Sequence, residues 1–445
     1  MAASTETVVL SEVADSKEFN GKCLPVVFSP GPACSSFVEL ATWLSANRSK
    51  VFDSAKEHGA VLFRGFKVSS PEDFAEIMDS SLALPVFPYV GGAAVRTKVS
   101  SACAWYPCSH VFRTCQASLP KLALQVVGDR VFTANEAPAS EPIPFHHEVA
   151  QSPTPPDYIA FYCETAPESG GETPIISSTA VYDYFAGKYP TFATRMETLG
   201  VKYIRVMPAE DDATSAIGRS WRSTFNVSTK EQAEQQLRAT GSSWEWLEGD
   251  NLRTVTGTVP GVRTDPRTGR KAFFNSVVAA YTGWTDSRND PTKAVILGDG
   301  SAVDGAALQD VADWMAANRV AVPWQQGDVL FIDNHVAMHS RNPFTGPRRI
   351  LASLAKRPTP SDVSASGAAA AASGASAVSD VSPTQPLSGT GDKMPLVGLG
   401  MWKVPKEKCA EITLESLKAG YTHIDSACDY GNEKEVGAGL RAALE

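Results

Sequence analysis

The stretch Pro144-Phe-His-His-Glu-Val149 holds the residues with most chemical potential. On a strand, side chains at i and i+2 share one face, so His146 and Glu148 are expected to point one way and His147 the other. Two imidazoles and one carboxylate on one face of an iron leave three positions open, a donor set suited to Fe(II) and O2 chemistry. A third donor must come from far along the chain. The run Gly327–Arg341 offers His335 and His339 beyond an apolar strand, with Arg349 ten residues after His339. A 2-oxo acid filling two open positions needs a buried cation for its distal carboxylate, which an arginine fork meets bidentately. Arg349 is the candidate cation, and Thr173 in Gly170-Gly-Glu-Thr173 the candidate hydroxyl donor. A lone His-x-Glu is more often a satisfied polar pair on a sheet face; the distant histidine and arginine favour the metal reading. His147 reads as a core or supporting residue, and Arg64 and Arg348 as ion-paired structural residues.

Short strands must carry these residues. Apolar or alternating runs occur at Ala60–Phe66, Val131–Ala134, Tyr158–Cys163, Thr173–Ser177, Gly200–Val206, Lys271–Phe274, Val329–Ile332 and Arg349–Ala355. Helical periodicity spans Phe37–Ala55, and Ser70-Pro71-Glu72-Asp73 combines an N-cap, a proline at the first helical position and first-turn acids, predicting a helix to about Ser80. Many short strands with few helices predict an α+β chain with a jelly-roll core and flanking helices; a mixed α/β sheet fits the same runs.

The chain has 445 residues, enough for two or three domains, and a net charge of −9 with no clustered basic face, which argues against a nucleic-acid partner. No apolar run reaches transmembrane length. The N-terminal segment carries Glu6, Glu12 and Asp15 and no early basic cluster, unlike a secretory or transit signal, and eight cysteines are too few for a disulfide scaffold. A cytoplasmic location follows as the default. Residues 358–391, rich in Ala, Ser, Gly and Pro, read as a flexible linker between a body of residues 1–357 and a tail of 392–445. The block at about 100–126 holds Cys103, Cys108, His110 and Cys115 but no CxxC knuckle, so an irregular inserted loop is preferred to a zinc site.

In the body, VLFRGF, PYVGGAAVRT, RVFTANEAP, IPFHHE, FYCE, GGETPI, NSVVAAYTGW, VPWQQGDVLFIDN and HSRNPFTGPRRILASL occur in one order. With these motifs the chain resembles the TauD/clavaminate synthase-like Fe(II)/2-oxoglutarate dioxygenases, above all the plant clavaminate synthase-like proteins. The resemblance implies a double-stranded β-helix, with His146, Glu148 and His339 as iron ligands and Thr173 and Arg349 on the 2-oxoglutarate carboxylate. It selects His339 over His335. Implied too are O2 as cosubstrate, succinate and CO2 as products, and oxidation of a C–H bond of a small polar, amino-acid-like substrate. Arg96, Asn275, Tyr281 and Trp284 are candidates to line the substrate pocket. The block at 100–126 interrupts the family pattern, as an inserted loop or a translated unspliced segment.

The tail departs as well. Met394-Pro-Leu-Val-Gly-Leu-Gly-Met-Trp402, Tyr421-Thr-His-Ile-Asp-Ser-Ala427 and Tyr430-Gly-Asn-Glu433 resemble the start of an aldo-keto reductase, Asp425 and Tyr430 matching its catalytic Asp and Tyr. A (β/α)8 barrel needs about 250 residues, so no reductase activity and a poorly ordered fragment are expected. Two further functions for the body remain open: a non-catalytic jelly-roll binding protein, and a zinc hydrolase using the same three ligands. The oligomeric state is left open.

Overall fold

Strand alternation in the body sorts apolar side chains onto two faces of one large sheet. The computed structural model describes residues 6–13, 15–87, 100–101, 125–126, 130–134, 137–212, 214–215, 217–358, 384–386, 393–395, 399–401, 404–418, 423–426 and 430–444. The chain divides into two units, 1–368 and 369–445.

Seven strands of the first unit lie edge to edge in the order Val8–Ser11, Val26–Pro30, Ala60–Phe63, Val329–Asp333, Tyr158–Thr165, Arg349–Ala355 and Val131–Thr133. Each pairing is antiparallel except that of Val26–Pro30 with Ala60–Phe63, so the sheet is mixed but mainly antiparallel. Tyr158, Ala160 and Tyr162 pack on one face against the helix residues Leu40, Leu44, Val51, Ala55 and Phe74. Ile159, Phe161 and Cys163 pack on the other, with Ile350, Ala352, Ile175 and Ala337. Ile175 and Ala337 belong to a second, three-stranded antiparallel sheet ordered Ile175–Ser177, Ala337–Arg341, Ile143–His146. The two sheets therefore share one apolar interior, the layering expected of a jelly roll. Each large side chain buried there contributes about 1.5–3 kcal/mol.

The helical run starting at Phe37 is two helices, Phe37–Ala46 and Arg48–His58, rather than one. Asn47 separates them and donates from its side chain to the Trp43 carbonyl at 2.8 Å. The Ser70 cap and Pro71 start the helix Pro71–Glu76 as expected, and a wider turn continues it through Ser81. A further layer places helices Ser178–Lys188, Pro190–Leu199, Val277–Gly283 and Gly305–Asn318 around a core containing Phe185, Met196, Val277 and Met315. Helix Val277–Gly283 lies so close to the Ile143–His146 strand that a Cβ on Gly283 would sit 2.7 Å from Pro144 Cγ.

In the second unit, Leu399–Gly400 and Ile424–Asp425 pair in parallel, with helices Lys406–Lys418 and Glu433–Leu444 following them in turn. Met401, Cys409 and Val436 form its small core, Tyr430 packs against it, and Asp425 is exposed. Of the 100–126 block, Ser100–Ser101 pairs with Gln125–Val126. Cys103, Cys108, His110, Cys115 and Arg96 lie outside the described residues. No helix among the described residues is long and apolar enough to cross a membrane.

Candidate metal centre

His146 and His339 face each other in cross-strand register, because the Ile143–His146 strand pairs antiparallel with Ala337–Arg341. Their ring centroids are 4.4 Å apart. Glu148 arrives differently from the expectation. The strand ends at His146, and Glu148 stands in the following turn, where Val149 takes φ 54°. That conformation is uncommon for a β-branched residue and costs about 1–3 kcal/mol. The turn, not strand alternation, brings the carboxylate round, with its Oε2 3.5 Å from His339 Nε2. One ligating atom from each of His146, Glu148 and His339 lies within 4.8 Å of the others. Glu148 and His339 are buried and His146 is partly exposed, so the cluster is open on one side.

The surroundings orient this cluster. His146 Nδ1 lies 2.9 Å from the Pro144 carbonyl; an N–H there leaves Nε2 as the donor. Phe161 packs 5.3 Å from the His339 ring, and His339 Nδ1 is buried with no hydrogen-bond partner among the described residues. His147 points away, its Nε2 2.7 Å from Ser178 Oγ and its ring stacked on Phe274. Burial holds its imidazole well below the usual range, so it is neutral. His335 is engaged elsewhere, its Nε2 2.7 Å from Asp157 Oδ1. Burial alone would raise the Asp157 carboxyl, but hydrogen bonds from His335 and the Arg357 backbone N–H outweigh it and hold the group at about 2.

Two adjacent arginines differ in where they point. Arg349 is exposed, pairs with Glu164, and alternates with Ile350 and Ala352, the residues that face the shared interior. The structure therefore does not bring Arg349 to the cluster. Arg348 has the parity of Ile350, is half-buried, and donates from Nε to the Gly171 carbonyl at 2.9 Å. Burial, with the nearby Arg341 cation, lowers its guanidinium to about 10, still charged at neutral pH. The expectation of an ion-paired structural role suits Arg64, which meets Asp328 at 2.6 Å, but not Arg348. Thr173 is buried two residues before Ile175, which stands opposite His339, and it borders a cavity of about 20 Å³.

Of the proposed substrate-lining residues Arg96 lies outside the described residues, and the other three do not gather at the ligands. Asn275 is fully buried; its Nδ2 donates to the Gly261 carbonyl and its Oδ1 accepts from the Val277 N–H, so it is a scaffold residue. Tyr281 packs into the helical core, where a Cβ on Gly305 would strike its hydroxyl, and Trp284 packs at 5.8 Å from the Tyr203 ring. Sequence reasoning also passed over Asn334, whose side chain brackets the Glu148 backbone. It passed over Arg341 too, which donates to the carbonyls of Ala137, Pro138 and Glu141 and so ties down the approach to the His146 strand. Neither leaves a spacing signal, since both act on backbone.

A family model described as taurine catabolism dioxygenase TauD, TfdA family matches residues 29–354. Clavaminate synthase-like protein At3g21360 of Arabidopsis thaliana is 43% identical over 354 residues, covering 78% of this chain and 98% of that protein. A short C-terminal stretch is instead similar to NADPH-dependent aldose reductase GRE3 of Saccharomyces cerevisiae, 61% identical over 54 residues but covering only 16% of that protein. Among solved structures, AAD-2 in complex with Mn(II) and N-oxalylglycine is 12% identical and aligns with 79% of this chain and 98% of its own, at a TM-score of 0.42.

Proposed function

Because the chain belongs to the TauD, TfdA family of dioxygenases, we propose that it is a non-haem Fe(II)- and 2-oxoglutarate-dependent oxygenase acting on a small polar, amino-acid-like molecule. The convergence of His146, Glu148 and His339 is the observation that carries this reading. Two imidazoles and a carboxylate suit a ferrous ion and leave positions for a chelating 2-oxo acid and for O2. The bound iron would supply O2 activation coupled to oxidative decarboxylation of 2-oxoglutarate to succinate and CO2.

The remaining work falls to side chains. The Pro144 carbonyl fixes the tautomer of His146, and Asn334 fixes the turn that aims Glu148. Arg348, rather than Arg349, takes the distal carboxylate of 2-oxoglutarate, with the Thr173 hydroxyl as second donor. Phe161 and the apolar interior keep water from the inner side of the cluster. A zinc hydrolase has no use for the Arg348 cation, and a binding protein has none for three open metal positions.

The test is succinate release by the full chain with Fe(II), ascorbate and 2-oxoglutarate across a panel of amino acids and small acids, with His339→Ala as blank. Substrate-stimulated succinate above that blank is expected. Iron-loaded protein that turns over no 2-oxoglutarate with any of them contradicts the proposal.

A further inference from the structure

On the outer side of the large sheet, away from the interior that holds the metal cluster, lies a cavity of about 290 Å³. Helix Arg48–His58 forms one wall, and the start of the Tyr158–Thr165 strand with Arg357 forms another. Its lining is lopsided. Arg48, Lys56, Arg267 and Arg357 face it, against Asp53 as the one carboxylate among the described residues of the lining. Lys56 is neutralised by Asp53 at 2.7 Å, and Arg267 is held by the buried Asp265 and Asp333. Arg48 donates to the backbone carbonyls of Ser80 and Ser81.

Arg357 is the anomaly. Its backbone N–H reaches Asp157 and its guanidinium lies over the Tyr158 ring at 5.9 Å, yet its Nε and Nη2 are buried with no hydrogen-bond partner among the described residues. Donors of a charged group left this way carry a desolvation cost that an anion would relieve. Apart from Ser49 at the rim, the rest of the lining is aromatic or apolar: Phe52, stacked on Tyr158 at 5.6 Å, with Leu82, Ala83 and Pro358. A cationic fork at the wall of an apolar, aromatic cavity suits a ligand with one charged end and one flat or branched apolar end.

We propose that this cavity is a second small-molecule site, binding an amphiphilic anion whose carboxylate or phosphate head meets Arg357 and whose apolar body lies against Phe52 and Leu82. The site does not depend on the reaction assigned to the metal cluster. It does share a connection with it. Arg267 on its wall is held by Asp333, which also accepts from the His335 N–H, and Asn334 between them grips Glu148.

Calorimetric titration of the full chain with phenyl phosphate, benzoate, inorganic phosphate and phenol tests the proposal. Saturable one-site binding is expected for phenyl phosphate or benzoate, the tighter of the two naming the head group. Phenol and inorganic phosphate should bind at least about tenfold more weakly, each lacking one half of the recognition. Arg357→Gln should weaken binding by about tenfold or more. The rim substitution Ser49→Glu, at an exposed position on this cavity, should do the same by placing a carboxylate beside the anion. Arg348→Gln should leave the affinity unchanged. Absence of saturable binding by either amphiphile overturns the proposal. So does binding that survives both Arg357→Gln and Ser49→Glu, or that is lost in Arg348→Gln.

Discussion

Asn334 holds Glu148 by both of its backbone polar groups: its Oδ1 accepts from the Glu148 N–H at 2.9 Å, and its Nδ2 donates to the Glu148 carbonyl at 3.1 Å. The same amide nitrogen donates to the Pro156 carbonyl at 2.9 Å, closing the turn on its far side. Asn334→Ala strands these buried backbone groups and should cost about 2–3 kcal/mol of stability. Because the turn aims the carboxylate, Mn(II) affinity should fall about 10–100-fold. Urea denaturation and a Mn(II) titration check the two effects; an unchanged metal affinity would reduce Asn334 to scaffold alone.

The opposite faces of Arg348 and Arg349 make a second prediction. Arg348→Gln should raise the KM for 2-oxoglutarate at least about tenfold, the loss of a bidentate charged pair. Arg349→Gln, which loses only a half-exposed pair with Glu164, should stay within about threefold. Initial rates of succinate formation rank the variants, and the reverse order would return the clamp to Arg349.

Asp157 gives the fold an acid-sensitive clasp. Its carboxyl sits at about 2 in the folded chain, below its ordinary value of 3.8, so its stabilisation is complete above about pH 4 and fades as pH falls toward 2. Discounted for partial exposure, that is about 1–2 kcal/mol. Asp157→Asn should be less stable by this amount at pH 6, with the gap closed near pH 2. Denaturant melts across that range read it directly; a gap constant with pH would mean that the carboxylate charge is irrelevant.

Close approach of helix Val277–Gly283 to the His146 strand is a third stability target. At Gly283 an added Cβ would meet Pro144 Cγ at 2.7 Å and Cδ at 2.9 Å, so Gly283→Ala should cost about 1–3 kcal/mol through overpacking. Gly187, also helical, has nothing within 4 Å of the same position. Gly187→Ala should be neutral or stabilising by about 0.5–1 kcal/mol. Equal melting temperatures for the two variants would refute the contact.

The donors of the centre were legible in the sequence because ligand chemistry restricts residue type: His146, Glu148 and His339 do converge. The reason given for the pairing of His146 with Glu148 was wrong, since strand alternation stops at His146 and a tertiary clamp from Asn334 sets the turn. Choosing between Arg348 and Arg349 requires knowing which parity of the last strand faces inward. That is set by its register with Tyr158–Thr165, which shifts between Cys163 and Thr165, and register is not written in a pair of adjacent arginines. Asn275 looked like a pocket residue because polar side chains serve cores and pockets alike, and only its partners, the Gly261 carbonyl and the Val277 N–H, mark it as scaffold; Trp284 packs on Tyr203 and lines a cavity with it. Strand segments were read well where runs were apolar and bounded, and the helix break at Asn47 was missed because apolar periodicity continues across it.

The central claim is that His146, Glu148 and His339 hold one ferrous ion with 2-oxoglutarate beside it. Anaerobic addition of Fe(II) and then 2-oxoglutarate to the full chain, followed by visible absorption, tests it most directly. A weak charge-transfer band that saturates at one iron per chain and is absent from His339→Ala is the predicted result. A wild-type chain that binds iron at these residues yet shows no band at saturating 2-oxoglutarate would contradict it.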